Sequence, residues 1–100
     1  MLFTYHVSSG SKSYVTQHEA ADWEGSKRVL IGSAAFRQFT EAMMPSTIGA
    51  PITADEVFLM IPMTCLKHCW LTQGGRAGEY FTAIVVQTDE SGEVEDVCNG

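Results

Sequence analysis

Residues 79–88 read Glu79-Tyr80-Phe81-Thr82-Ala83-Ile84-Val85-Val86-Gln87-Thr88, a run rich in aromatic and β-branched side chains. Such side chains suit the pleated surface of a sheet, so the run predicts a β-strand. Residues 89–92 (DESG) follow as a four-residue turn, and residues 93–98 can return as the partner strand. The C-terminal part of the chain is therefore expected to form a β-hairpin.

A second hairpin is expected at the N-terminus. Residues 2–7 (LFTYHV) alternate with the period of two that is typical of a half-buried strand. Residues 8–13, rich in serine, supply a turn, and residues 14–17 suit a return strand. His6 and His18 are then expected to face each other as a cross-strand pair.

The middle of the chain carries a clear helical signal. Apolar side chains in residues 34–43 follow the spacing of one helix face, with Ser33 as N-cap and Pro45 as the stop. Ahead of this helix, residues 22–26 predict a turn and residues 27–31 a short strand.

Residues 53–71 allow two interpretations. Thr53 and Glu56 have the spacing of a capping box, which favours a helix that is broken at Pro62. The apolar run 57–61 equally suits a buried strand, because short apolar runs carry no distinguishing period. The helix is the preferred prediction.

The expected fold class is α+β. It comprises a mostly antiparallel sheet with N-terminal and C-terminal hairpins and one or two helices packed on one face. The 100 residues are expected to form a single domain. Residues 74–78, with three glycines, are expected to be a connecting loop that carries Arg76.

Charge is distributed unevenly along the chain. The formal net charge is −6, and residues 1–50 hold as many bases as acids, so the excess lies in the second half. Five of the acids are clustered: Asp89, Glu90, Glu93, Glu95 and Asp96. Such a surface repels nucleic acid and membranes and attracts basic partners, whose Lys and Arg side chains can bind carboxylates. Alternatively, the acids only discourage unwanted pairing at an edge strand.

Three cysteines, Cys65, Cys69 and Cys98, cannot close a disulfide framework because their number is odd. With no signal peptide and no apolar run of about 20 residues, the chain is expected to be cytoplasmic and away from membranes. Cys65, His68 and Cys69 would converge on one side of a helix and could ligate zinc. Their apolar surroundings favour buried structural thiols, so neither a metal nor a cofactor is expected.

The sequence has no spacing typical of a nucleophile, base and orienting group, so an enzyme is not expected. The leading hypothesis is a small acidic binding or inhibitory protein that contacts a basic surface on a larger protein or nucleoprotein. In size, acidity and lack of motifs, the chain is similar in character to phage-encoded inhibitors of bacterial defence, including anti-CRISPR proteins. The alternative is a small metal- or ligand-binding domain centred on Cys65, His68 and Cys69. The five methionines and two tryptophans also favour a homodimer.

Overall fold

The computed structural model describes residues 1–63 and 69–88. They form an α+β fold in which a five-stranded antiparallel sheet carries two α-helices on one face. The order of strands across the sheet is β2-β1-β5-β4-β3. The strands and helices have these bounds: β1 Leu2–Ser9, β2 Lys12–Glu19, α1 Trp23–Gly32, α2 Ala34–Met43, β3 Val57–Pro62, β4 Cys69–Arg76 and β5 Glu79–Gln87. No described helix is long and apolar enough to cross a membrane.

The predicted N-terminal hairpin is confirmed. β1 and β2 pair along their whole length up to Ser9 and Lys12, which leaves Gly10 and Ser11 as a two-residue turn. Gly10 has a φ of +60°, the positive value that tight hairpin turns require.

The predicted contact between His6 and His18 is wrong. The short turn sets a register in which His6 pairs with Val15, and His18 pairs with Phe3. Because successive side chains point to opposite faces, the two histidines lie on different sides of the sheet. His18 is on the helix-covered side, where its ring lies 5.6 Å from that of Tyr5.

Alternating residues of the two central strands build the core. On the helix-covered face, the side chains of β1 and β5 are at most 1% exposed at the following positions: Phe3, Tyr5, Val7, Phe81, Ala83 and Val85. Leu30 and Phe36 reach them from the two helices. This burial matches the strand predicted at residues 79–88, which is confirmed as β5.

The turn and short strand that were expected at residues 22–31 are wrong, because the helix α1 occupies Trp23–Gly32. Asp22 is the N-cap, and its carboxylate accepts the Gly25 backbone N–H at 2.7 Å. Ser26 and Leu30, one turn apart, are the buried positions of α1. Burial of this stripe against the sheet outweighs the weak strand preference of the β-branched residues in the same stretch.

The second helix is confirmed with both of its ends. The Ser33 hydroxyl accepts the Phe36 backbone N–H at 3.2 Å, and the helix ends at Met43, before Pro45. Phe36 is buried, whereas Phe39 is partly buried and packs against the Tyr14 ring at 4.8 Å.

The helix preferred for residues 53–71 is wrong where the structure describes this stretch, and residues 64–68 lie outside the described residues. The capping box of Thr53 and Glu56 is present, but it begins only one 3-10 turn, Ala54–Glu56, and the chain then continues as β3. β4 pairs with both β3 and β5, so Arg76 belongs to a strand and only Ala77 and Gly78 form the turn. The edge of β5 that does not pair with β1 has backbone N–H and C=O groups that need hydrogen-bond partners. The strand β4 supplies these partners, and a helix could not.

The expected C-terminal partner strand, residues 93–98, lies outside the described residues. Among the residues that are described, both edges of β5 are occupied, one by β1 and the other by β4. The hairpin that contains β5 is therefore formed with β4, ahead of it in the chain.

Candidate functional site

Most of the site residues predicted from the sequence fall outside the described residues. These are Asp89, Glu90, Glu93, Glu95 and Asp96, together with Cys65, His68 and Cys98. The residue that precedes the acidic run, Thr88, is hydrogen bonded to β1. The Thr88 backbone N–H donates to the Leu2 carbonyl at 2.8 Å, and the Thr88 and Thr4 hydroxyl oxygens are 3.0 Å apart. Thr88, the last described residue, is thus held against β1 at the end of β5.

Cys69 is the described member of the predicted cysteine and histidine group. It is a buried free thiol on β4, opposite Val86. Burial raises the pKa of the Cys69 thiol, which therefore remains protonated at neutral pH. Within residues 1–63 and 69–88, no group of three potential ligands could hold a metal ion.

The sheet has one open face. The helices cover the face that carries Phe3 and Phe81, and the residues that alternate with those core positions point the other way. We call this the open sheet face, and no described helix packs on it. Its Cys69 corner is covered, because Cys69 pairs with Val86 on this side of the sheet and is only 3% exposed. Five of its large apolar side chains are 37–60% exposed: Val15, Phe58, Ile61, Tyr80 and Ile84.

The strand register places one residue from every strand in a single row on this face. Val15 pairs with His6, His6 with Ile84, Ile84 with Leu71, and Leu71 with Ile61. Neighbouring strands are about 4.8 Å apart, so the row runs about 20 Å across the sheet. Four of its five side chains are apolar, which is unusual for a face in contact with water.

An aromatic pair lies toward the β4–β5 turn. The rings of Phe58 and Tyr80 meet edge to face with their centroids 6.0 Å apart. With Gln73 and Phe81 they line a shallow depression of about 360 Å³. Gly75 lies beneath Tyr80, where a Cβ atom would come within 2.7 Å of the ring. The glycine therefore allows the tyrosine to occupy this position.

The open sheet face is almost uncharged. By alternation, Glu19 is the only Asp, Glu, Lys or Arg of the five strands that points to this side, and it lies at the outer corner, opposite Leu2. His6 is the titratable residue of the central row. Burying such a face would require little desolvation of charge.

Arg76 forms a structural anchor on the opposite side of the sheet. Its Nε and one Nη donate to the Glu56 carboxylate at 2.7 and 2.6 Å. The remaining donors reach the carbonyls of Ser46, Ala50 and Pro51 at 2.7–3.2 Å. All five guanidinium N–H groups are thus occupied. Arg76 ties the segment between α2 and β3 to the end of β4, so it is not available to bind a ligand.

Acid should weaken this anchor. The hydrogen bonds from Arg76 lower the pKa of the Glu56 carboxyl below its ordinary value of 4.5. A carboxyl with a lower pKa in the folded chain stabilises the fold above its unfolded pKa, and the contribution is lost as the pH falls through the folded pKa. The melting temperature of Glu56→Gln should therefore lie below that of the wild type at neutral pH, and the difference should shrink below pH 4.5.

Thermal unfolding followed by circular dichroism across this pH range measures the difference. Asp55→Asn, at the neighbouring exposed position, is the matched control and should unfold like the wild type at neutral pH. A Glu56→Gln protein as stable as the wild type at neutral pH would contradict the role of the anchor.

No family model, curated protein or solved structure matches this chain. The open sheet face is a site that the sequence did not predict. Its signal was nevertheless present, since Tyr80, Ile84 and Val86 make β5 apolar at the positions that alternate with its core residues. Strands with apolar side chains on both faces are typical of sheets covered on both sides.

Proposed function

We propose that this protein is a non-enzymatic binding protein that occupies a basic surface of a larger partner. Its contact residues are the acidic cluster predicted from the sequence: Asp89, Glu90, Glu93, Glu95 and Asp96. The observation that carries this proposal is the anchored end of β5. Thr88, the residue that precedes the cluster in the sequence, is hydrogen bonded to β1.

The distribution of charge supports the same role. Residues 1–63 and 69–88 hold seven acidic and five basic side chains, so their formal charge is only −2, while the acidic cluster adds −5. Some charges of the folded body are also paired with each other, as in Arg76–Glu56 at 2.6 Å and Lys27–Glu24 at 3.8 Å. The acidic cluster therefore dominates the long-range field that a basic partner meets.

Three side chains that could act as nucleophiles are buried or partly buried in the described part of the fold. Burial raises the pKa of Tyr5 to about 12 and also raises those of Tyr14 and Cys69, so none of the three is an ionised nucleophile at neutral pH. The donors of Arg76 are all occupied within the fold.

The protein would inhibit its partner by competing with nucleic acid for a basic surface. Lys and Arg side chains that bind phosphates bind carboxylates with the same geometry. A partner that uses such a basic surface for nucleic acid would lose access to it when the acidic cluster is bound. This is the form that the inhibitory role expected from the sequence would take.

Neutralising part of the cluster should slow binding. In the variant Glu93→Gln, Glu95→Gln, Asp96→Asn, three negative charges are removed with little change of shape. Association with a partner recovered at low salt should become about tenfold slower, and its dependence on salt between about 50 and 200 mM should flatten. Surface plasmon resonance with the recovered partner measures both quantities.

A second triple variant tests whether position matters. Glu24→Gln, Glu41→Gln, Asp55→Asn removes the same three charges from the folded body. Its association should remain close to that of the wild type. Equal slowing in both variants would show that total charge alone governs binding, and unchanged binding in the first variant would contradict the proposed function.

A further inference from the structure

The open sheet face has the anatomy of a protein interface. Its apolar side chains are concentrated on β3, β4 and β5, where Ile61, Leu71 and Ile84 lie side by side. The same face of β1 and β2 is mostly polar, with Thr4, His6 and Gln17. The face therefore has an apolar half, from the middle strand β5 to the edge strand β3, and a more polar half on β1 and β2. Apolar surface of this kind is enriched in the buried part of protein interfaces.

We infer that a second copy of this chain covers the open sheet face, so that two sheets pack face to face. Such packing brings the inner faces of two sheets to about 10 Å from each other. The inference rests on the exposed side chains of the sheet and is independent of the acidic cluster.

The area of the face is sufficient for a dimer. Five strands about 4.8 Å apart, paired over about six residues of 3.3 Å, span about 24 by 20 Å. In full contact, two such faces together bury about 1,000 Å², which is close to the smallest area expected of a specific protein interface. Only a partner that contacts the whole sheet buries this much, and a second sheet of the same size meets that condition.

Charge distinguishes a second copy from the basic partner. A two-fold interface places the same surface against itself, so any charge on that surface would meet its own copy. The open sheet face carries a single strand carboxylate, Glu19, at its corner, although the chain as a whole has a charge of −6. The five described strands can therefore pack against a second copy of themselves without bringing like charges together at the centre of the face. A basic partner would gain no ion pair at its centre.

The two tryptophans do not contribute to this surface. Trp23 and Trp70 stack on each other with ring centroids 4.3 Å apart, and they join α1 to β4 on the helix-covered side. Ile84, on the middle strand of the sheet, is instead the residue closest to the centre of the proposed interface.

Sedimentation velocity at tens of micromolar tests the inference. The wild-type protein should sediment with twice the chain mass of 10.9 kDa. Ile84→Lys places a charge at the centre of the interface and should weaken dimerisation at least 100-fold, which leaves a monomer. Ile48→Lys is the matched control, because Ile48 is 64% exposed but lies in the loop after α2. This variant should remain dimeric.

Circular dichroism confirms that each variant is folded. If Ile84→Lys does not fold, Phe58→Asp decides instead, because Phe58 is 60% exposed on the same face. A monomeric wild type, a dimer that persists in Ile84→Lys and Phe58→Asp, or a dimer that Ile48→Lys alone dissociates would each overturn the inference.

Discussion

Replacing Phe36 with Ala should lower the free energy of unfolding by about 3–5 kcal/mol. Phe36 is 1% exposed, and its ring packs edge to face on Phe81 of β5 with centroids 5.0 Å apart. Truncation removes this contact and leaves a cavity between α2 and the sheet. The free energy of unfolding of a small domain is roughly 5–15 kcal/mol, so this loss is a large part of its stability. Urea unfolding monitored by circular dichroism measures it.

Phe39→Ala is the matched control for Phe36→Ala. Phe39 lies one turn away on the same helix, but it is only partly buried, and it contacts Tyr14 at the margin of the core. Its truncation should cost less, at most about 2 kcal/mol. If Phe39→Ala were the more destabilising variant, the facing of α2 on the sheet would be wrong.

Gly75→Ala should destabilise the protein by about 2–4 kcal/mol, although it adds a single methyl group. Gly75 has a φ of +149°, and a Cβ atom there would collide with the Glu79 carbonyl oxygen and come within 2.7 Å of the Tyr80 Cα. Both obstacles include backbone atoms of the paired strand β5, so β4 and β5 would have to separate at this end.

Gly32→Ala provides the comparison for Gly75→Ala in the same unfolding experiment. Gly32 is the last residue of α1, and an added Cβ there meets no atom within 4 Å. Alanine also has the better helix propensity, so this variant should be as stable as the wild type or slightly more stable. A Gly75→Ala protein that matches Gly32→Ala in stability would show that the two strands do not approach closely at Gly75.

Elements with strong local signals could be predicted from the sequence. The helix from Ala34 to Met43 has a capping serine, one apolar stripe and a terminating proline. The first hairpin has alternating strands on both sides of Gly10. In these segments, the propensity, the hydrophobic period and the turn residues agree, so neighbouring residues alone determine the structure.

The segments that were predicted wrongly have signals that fit two structures. The residues of α1 include β-branched side chains that also suit a strand. The capping box at Thr53 and Glu56 is satisfied within one 3-10 turn as well as it would be in a helix. The edge of β5 decides between the two structures. It pairs with β4 over eight residues, and β3 pairs with the other edge of β4.

The sequence by itself determined the fold class, the capped helix α2, the strands β1, β2 and β5, and the place of the acidic cluster in the chain. Each of these depends on residues that are close together in the sequence. The tertiary structure decided which apolar side chains are buried. Tyr80 and Phe81 are both aromatic neighbours on β5, yet their exposures are 56% and 1%. The difference arises because the helices pack on only one face of the sheet, and the choice of face depends on contacts between residues far apart in the sequence.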